Sequence, residues 1–165
     1  MNRFAELLNR LAYEPARNAK LRLITDYFRS MPDPERGWAL AALTGTLSFP
    51  HAKAGLIRSL IAERTDPVLF ELSYDYVGDL SETVALMWPS ANAAASNGNG
   101  YDLSLTAVVE TLSTLGKAQL PKQLTQWLDA LDENGRWALI KLVTGGLRIG
   151  VSRSEERRVG KECLE

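Results

Sequence analysis

The chain has 165 residues, 45% hydrophobic and 24% charged, with a formal net charge of -1, the composition of an ordinary globular domain that can bury a core without staples. One cysteine and one histidine exclude a disulfide framework and any zinc site built from several Cys or His ligands. No apolar run approaches the roughly 18–20 residues of a membrane span, and the opening Met-Asn-Arg-Phe-Ala-Glu lacks the basic and apolar regions of a secretory signal, so a cytoplasmic protein with no membrane partner is expected.

Hydrophobic periodicity predicts helix almost throughout. Phe4, Leu7, Leu8 and Leu11 fall at i, i+3, i+4 and i+7, the apolar stripe of an amphipathic helix. Pro15 ends this helix and opens a second carrying Leu21, Ile24 and Phe28. Asp33-Pro34 reads as an N-cap and first helical residue for a third helix over 38–44, which Gly45 stops. Pro50 starts a fourth, with Leu56, Ile57, Leu60 and Ile61 on one side, and Asp66-Pro67 starts a fifth with a stripe of Leu69, Leu72 and Tyr76. Asp79 caps a sixth bearing Leu80, Val84, Met87 and Trp88. The run rich in Ala, Asn, Ser and Gly over 89–100 has neither periodicity nor apolar mass and reads as a surface loop. Three more helices are predicted over about 103–115, 119–130 and 133–144, the first with Leu105, Val108, Val109 and Leu112 as its stripe. No stretch alternates with period two, so an all-α fold of about nine helices is expected.

An internal repeat runs through the pattern. Phe4 and Leu11 match Leu105 and Leu112 at an offset of 101, and Tyr27-Phe28 matches Trp127-Leu128 at 100. Trp38-Ala-Leu matches Trp137-Ala-Leu at 99, and Thr44-Gly45 matches Thr144-Gly145 at 100. Two pseudo-symmetric three-helix units flanking a three-helix insert are expected, each anchored by a core Trp and ended by Thr-Gly where the backbone turns. Residues 153–165, with four bases, four acids and little apolar content, cannot join a core. They look non-native and vector-like, which leaves a domain of residues 1–152.

Charge is segregated along the chain. Residues 1–64 carry ten Lys or Arg against six acids, residues 65–135 ten acids against two bases, and residues 136–152 three bases and no acid. A fold of this chain can offer a basic face to a polyanion while an acidic middle faces elsewhere. Catalytic constellations are absent: there is no Walker loop, GxGxxG, HExxH or Gly-x-Ser-x-Gly. His51 reads as a polar first-turn residue, and Asp75, Asp79 and Glu82 are better explained by a capping box in Asp-Leu-Ser-Glu than by a cation site. No catalytic residue and no metal ligand is assigned. The informative stretch is 144–152, with three glycines, Arg148 among them, and Ser152 placed to cap a following helix. Glycines that admit close approach, one arginine and a capped helix start make a phosphate grip. A C-cap followed by a tight turn, with Arg148 in solvent, fits the same spacing.

The run Lys141-Leu-Val-Thr-Gly-Gly-Leu-Arg-Ile-Gly-Val-Ser152 closely resembles the end of the N-terminal DNA-binding domain of ATP-dependent DNA ligases. The run Val77-Gly-Asp-Leu-Ser-Glu82 is similar to that family's Gly-Asp-Leu-Gly-Glu, with Ser81 in place of the second glycine. The resemblance covers residues 1–152 and is most like the bacterial branch. It implies a wholly helical, pseudo-twofold domain that holds duplex on both sides of a nick through the minor groove, without reading sequence. The family's DNA-contacting loop falls on Gly145, Gly146, Leu147, Arg148, Gly150 and Ser152, Gly146 standing where some relatives have a base. The repeat extends contact to Thr44, Gly45, His51 and Lys53. No lysine is followed by x-Asp-Gly, the family's nucleotidyl-transferase signature, so this chain looks like one module of a ligase, inactive alone. It would need no cofactor itself, ATP and magnesium serving the full-length enzyme, and is expected to be a monomer on nicked double-stranded DNA near the nucleoid, the whole enzyme sealing nicks in repair, replication and recombination. A reading from another class is a helical-repeat scaffold for protein partners, with the insert and acidic middle as its working surface.

Overall fold

Amphipathic stripes at helical spacing must be covered by other stripes, and the computed structural model shows how this chain covers them. It describes residues 1–89, 103–147 and 149. The stretch 90–102, Arg148, Gly150, Ser152 and the tail 153–165 lie outside the described residues. Among the described residues there are nine helices and no strand: α1 Asn2–Tyr13, α2 Arg17–Ser30, α3 Glu35–Leu43, α4 Ala54–Ala62, α5 Pro67–Val77, α6 Leu80–Met87, α7 Leu105–Thr114, α8 Leu120–Ala130 and α9 Glu133–Thr144. The fold is all-α, as the periodicity predicts.

The stripes Phe4, Leu7, Leu8, Leu11 on α1 and Leu105, Val108, Val109, Leu112 on α7 are buried, each such side chain stabilising the fold by about 1.5–3 kcal/mol. They are covered crosswise. α1 packs on α9 and α3 on α7, so the first helix of each unit meets the last helix of the other, while α4 packs on α8 and α9 and α6 on α9.

Local geometry repeats at an offset of 100. Ile24 and Leu124 are fully buried, as are Phe28 and Leu128. The Thr44 and Thr144 hydroxyls donate to the Leu40 and Ile140 carbonyls at 2.9 and 2.8 Å. Gly45 and Gly145 are left-handed at φ 67° and 70°, and the next amides, of Thr46 and Gly146, close Schellman turns on the Ala41 and Lys141 carbonyls at 3.0 and 3.2 Å. Arg36 and Arg136 reach back to the Phe28 and Leu128 carbonyls at 3.5 and 2.6 Å. The Trp-Ala-Leu match at 99 is therefore one residue out of step with the structural repeat. Trp38 and Trp137 are only half-buried, whereas Trp127 and Trp88 are buried, the Trp88 indole donating to Asp129 at 2.9 Å.

Three helix starts or faces differ from the sequence expectation. Asp33 does not cap α3, because its carboxylate accepts from Arg36 Nε and Nη2 at 3.2 and 2.7 Å and the helix begins at Glu35. α4 begins at Ala54 rather than at Pro50, since Phe49 and Ala52 are buried in the core and Lys53 is still extended at φ -129°. On α5 the Asp66 cap and Pro67 start are as expected, but Leu69, Leu72 and Tyr76 are 56%, 63% and 93% exposed. The helix turns Phe70 and Tyr74 inward instead, their rings stacked at 6.2 Å with the Arg58 guanidinium 4.5 Å from the centre of the Tyr74 ring.

The Glu35 carboxylate also caps a distant helix, accepting from the Leu105 and Thr106 amides at 3.1 and 2.8 Å. The Met1 ammonium donates to the Leu103 carbonyl beside it. Partial burial pushes the Glu35 carboxyl up, but the bond from Thr106, then that from Leu105, then the nearby amino group outweigh it and hold the group below the ordinary carboxylate range. A carboxyl depressed in this way contributes stability above its unfolded pKa that is lost as pH falls through the folded value. Urea unfolding between pH 7 and pH 3 should therefore show stability declining below about pH 4.3, and Glu35→Gln should decline less over that span. An undiminished acid dependence in the variant would remove Glu35 from the account. Arg136 is buried and Arg36 is half-buried, so Arg136→Ala should cost about 2–4 kcal/mol in the same assay and Arg36→Ala less than half of that.

Candidate nucleic-acid interface

The glycine loop is built from the end of α9. The Thr144 hydroxyl is committed to the Ile140 carbonyl, and Gly145 turns the chain at φ 70° with nothing within 4 Å of where a Cβ would sit. Space is open there, yet the backbone angle excludes most side chains. Gly146 follows with its amide on the Lys141 carbonyl at 3.2 Å. Both glycines are exposed. Beyond them Leu147 packs half-buried against the core and Ile149 is buried. The Lys20 Nζ of α2 donates to the Ile149 carbonyl at 2.7 Å. Two apolar anchors and one lysine thus stake the loop on both sides of Arg148, which itself lies outside the described residues with Gly150 and Ser152.

The base of the loop is fixed by a second contact. Gly78 ends α5 in the left-handed conformation at φ 74°, and Asp79 then caps α6, accepting from the Glu82 amide at 2.9 Å. This is the forward half of the expected capping box. The other oxygen of Asp79 meets the Lys141 ammonium at 2.5 Å. Partial burial pushes the Asp79 carboxyl up, while the Lys141 bond and the Glu82 amide together hold it below the usual carboxylate range. The Lys141 stem passes under Gly146, where a Cβ would lie 3.5 Å from Lys141 Cδ. The stretches 77–82 and 141–149, far apart in sequence, therefore meet at one ion pair. Sequence reasoning did not find this pairing, or that of Lys20, because nothing local to either lysine marks its partner.

In the first unit Thr44 is buried, with its hydroxyl on the Leu40 and Ala41 carbonyls at 2.9 and 3.3 Å. Gly45, His51 and Lys53 are exposed. Thr46 is exposed as well, its hydroxyl on the Ala41 carbonyl at 3.0 Å. This stretch feeds α4, which packs on α8 and α9, so the first-unit turn is connected to the second unit by one short helix. No group of three His, Cys, Asp or Glu among the described residues is arranged to hold a metal ion, and no described helix is long and apolar enough to cross a membrane.

The arrangement offers two exposed, glycine-turned helix ends, the second staked from two sides, and Lys53 as an exposed cation beside the first. A surface with little side-chain bulk and a nearby cation can take a sugar-phosphate backbone at close range. No curated protein matches the chain. A family model described as DNA ligase N terminus matches residues 1–155. Both motif stretches that the Asp79–Lys141 pair joins lie inside that match, and with all but the last ten residues covered, the chain belongs to the DNA ligase N-terminus family.

Proposed function

We propose that this chain is the duplex-binding module at the N terminus of an ATP-dependent DNA ligase of bacterial type, and that it holds nicked double-stranded DNA without reading its sequence. The observation that carries this reading is the exposed Gly145–Gly146 turn, staked by Leu147, Ile149 and Lys20 and echoed at Gly45–Thr46. Its family membership supports the assignment. Affinity comes from lysines and arginines neutralising phosphates and from main-chain amides, both indifferent to base identity. The domain runs to about residue 152, and the tail 153–165 takes no part. The module works as a monomer on cytoplasmic, nucleoid DNA, and the whole enzyme seals nicks in repair, replication and recombination, with ATP and magnesium used by its catalytic part.

No lysine here is followed by x-Asp-Gly, so the group that would attack ATP is missing. Incubated with radiolabelled ATP and magnesium, the chain should give no labelled band after denaturation and should seal no nicks. A covalent adduct would overturn the division of labour.

The second test separates lysines that face DNA from those already engaged. Arg148→Ala should weaken binding to nicked duplex by about 1–2 kcal/mol for unrelated sequences and lower the salt slope by about one. Lys53→Met should also lower the slope. Lys141→Met should weaken binding with little change in slope, because its ammonium is already paired with the Asp79 carboxylate, whereas Lys20→Met, whose ammonium keeps its full charge on the neutral Ile149 carbonyl, should weaken binding and lower the slope. Glu110→Ala is the neutral control. A folded Arg148→Ala protein that binds like the parent at moderate salt would reduce the loop to an interhelical turn.

A further inference from the structure

The acidic insert carries an apolar face that duplex binding does not use. Val68, Leu69, Leu72 and Tyr76 lie along one side of α5 with 69%, 56%, 63% and 93% of their surface exposed, and Leu86 on α6 is 61% exposed. α5 buries only Phe70. Large apolar side chains exposed together, rather than singly, mark an interaction surface. Between α5 and α6 they open onto a groove of about 370 Å³ lined by Leu72, Tyr76, Val77, Leu86 and Met87 among others. Leu86 also lines a second cleft of about 680 Å³, between α1, α6 and α9, together with Tyr13, Glu82, Glu133 and Trp137. The two recesses therefore meet at Leu86.

Charge decides what fits there. No lysine or arginine lines either recess, whereas Glu82, Asp132 and Glu133 line the larger one. Asp75 is exposed beside the Val68–Leu72–Tyr76 row, as is Glu71 one helical turn before it, although Glu71 also pairs with Arg58 at 3.9 Å. Duplex phosphates are repelled by such a rim, and a second copy of the chain would set acid against acid. An apolar row of about 12 Å, from Val68 to Tyr76, edged by carboxylates, complements a helix with a leucine-type stripe flanked by lysines and arginines. We propose that the α5–α6 face and the adjoining α1–α6–α9 cleft form one docking surface for a basic amphipathic helix of a protein partner, independent of the DNA-contacting turns.

The probe is a fluorescein-labelled Leu/Lys amphipathic peptide of about five turns, compared by anisotropy with a scrambled peptide of the same composition and with its Leu/Glu counterpart. The Leu/Lys helix should bind the full chain at least about tenfold tighter than the scramble, and the Leu/Glu helix should not bind. The Leu72→Ser/Tyr76→Ser variant should lose about tenfold or more in affinity, and Glu82→Gln/Glu133→Gln should lose a few-fold and show a flatter salt dependence. Both should bind nicked duplex like the parent. The substituted side chains are exposed, so melting should shift by no more than a degree or two. If the double variant melts early, Tyr76→Ser alone serves, with a few-fold loss expected. The proposal is overturned by apolar variants that bind the peptide like the parent, by equal binding of the scramble or of the Leu/Glu helix, or by sedimentation showing a dimer that Tyr76→Ser dissolves.

Discussion

Neither three-helix unit covers its own apolar stripes fully, and that constraint organises the molecule. The stripe of α1 is closed by α9 and α3 sits against α7, so the core is single and joins residues more than a hundred positions apart. α9 carries the largest share. With α1, α4 and α6 all packed on it, it buries Gly135, Arg136, Ala138, Leu139, Ile140, Leu142 and Val143, as a central helix apolar on most sides should. At its start Gly135 leaves room for the cap, since a Cβ there would lie 3.0 Å from side-chain atoms of Asp132 and Leu131. The glycine turn at its end inherits the rigidity: its base is fixed by everything that packs on α9.

Counting lysines and arginines overstates the positive charge available to a polyanion. Lys141 is paired with Asp79, Arg36 with Asp33 and Arg58 with Glu71, and Arg136 is buried with its guanidinium on the Leu128 carbonyl. Burial pushes the Arg136 guanidinium below its ordinary value, with Asp129, Asp132 and Glu133 opposing that effect. These groups shape the surface that other bases present. Segregation of charge along the chain is thus partly architectural, with basic residues at both ends of the domain fastening its last helix and loop, and acids in the middle lining recesses.

The helices were legible in the sequence because a period of 3.6 is a property of local residues: Phe4 to Leu11 and Leu105 to Leu112 are buried as their spacing implies. The repeat was legible as well, although only the structure shows that Thr-Gly and the reaching arginines set its register and that Trp-Ala-Leu does not. What failed was the direction of the α5 stripe. Periodicity says that one side of a helix is apolar and is silent on whether anything covers it, so Leu69, Leu72 and Tyr76 read as core. The glycine turns of the candidate interface were visible, since left-handed helix ends select glycine. Their supports were not, because Lys20 to Ile149 and Asp79 to Lys141 are long-range pairings without a local mark.

The crosswise packing of α1 has a meaning in time as well as in space. About 120 residues separate the end of α1 from the start of α9, which at typical synthesis rates is roughly 6–24 seconds of translation. Through that interval α1 holds Phe4, Leu7, Leu8 and Leu11 with only the partial cover of α2, whose Tyr27 ring lies 6.4 Å from that of Phe4. The core of the described domain therefore closes only when α9 has been made.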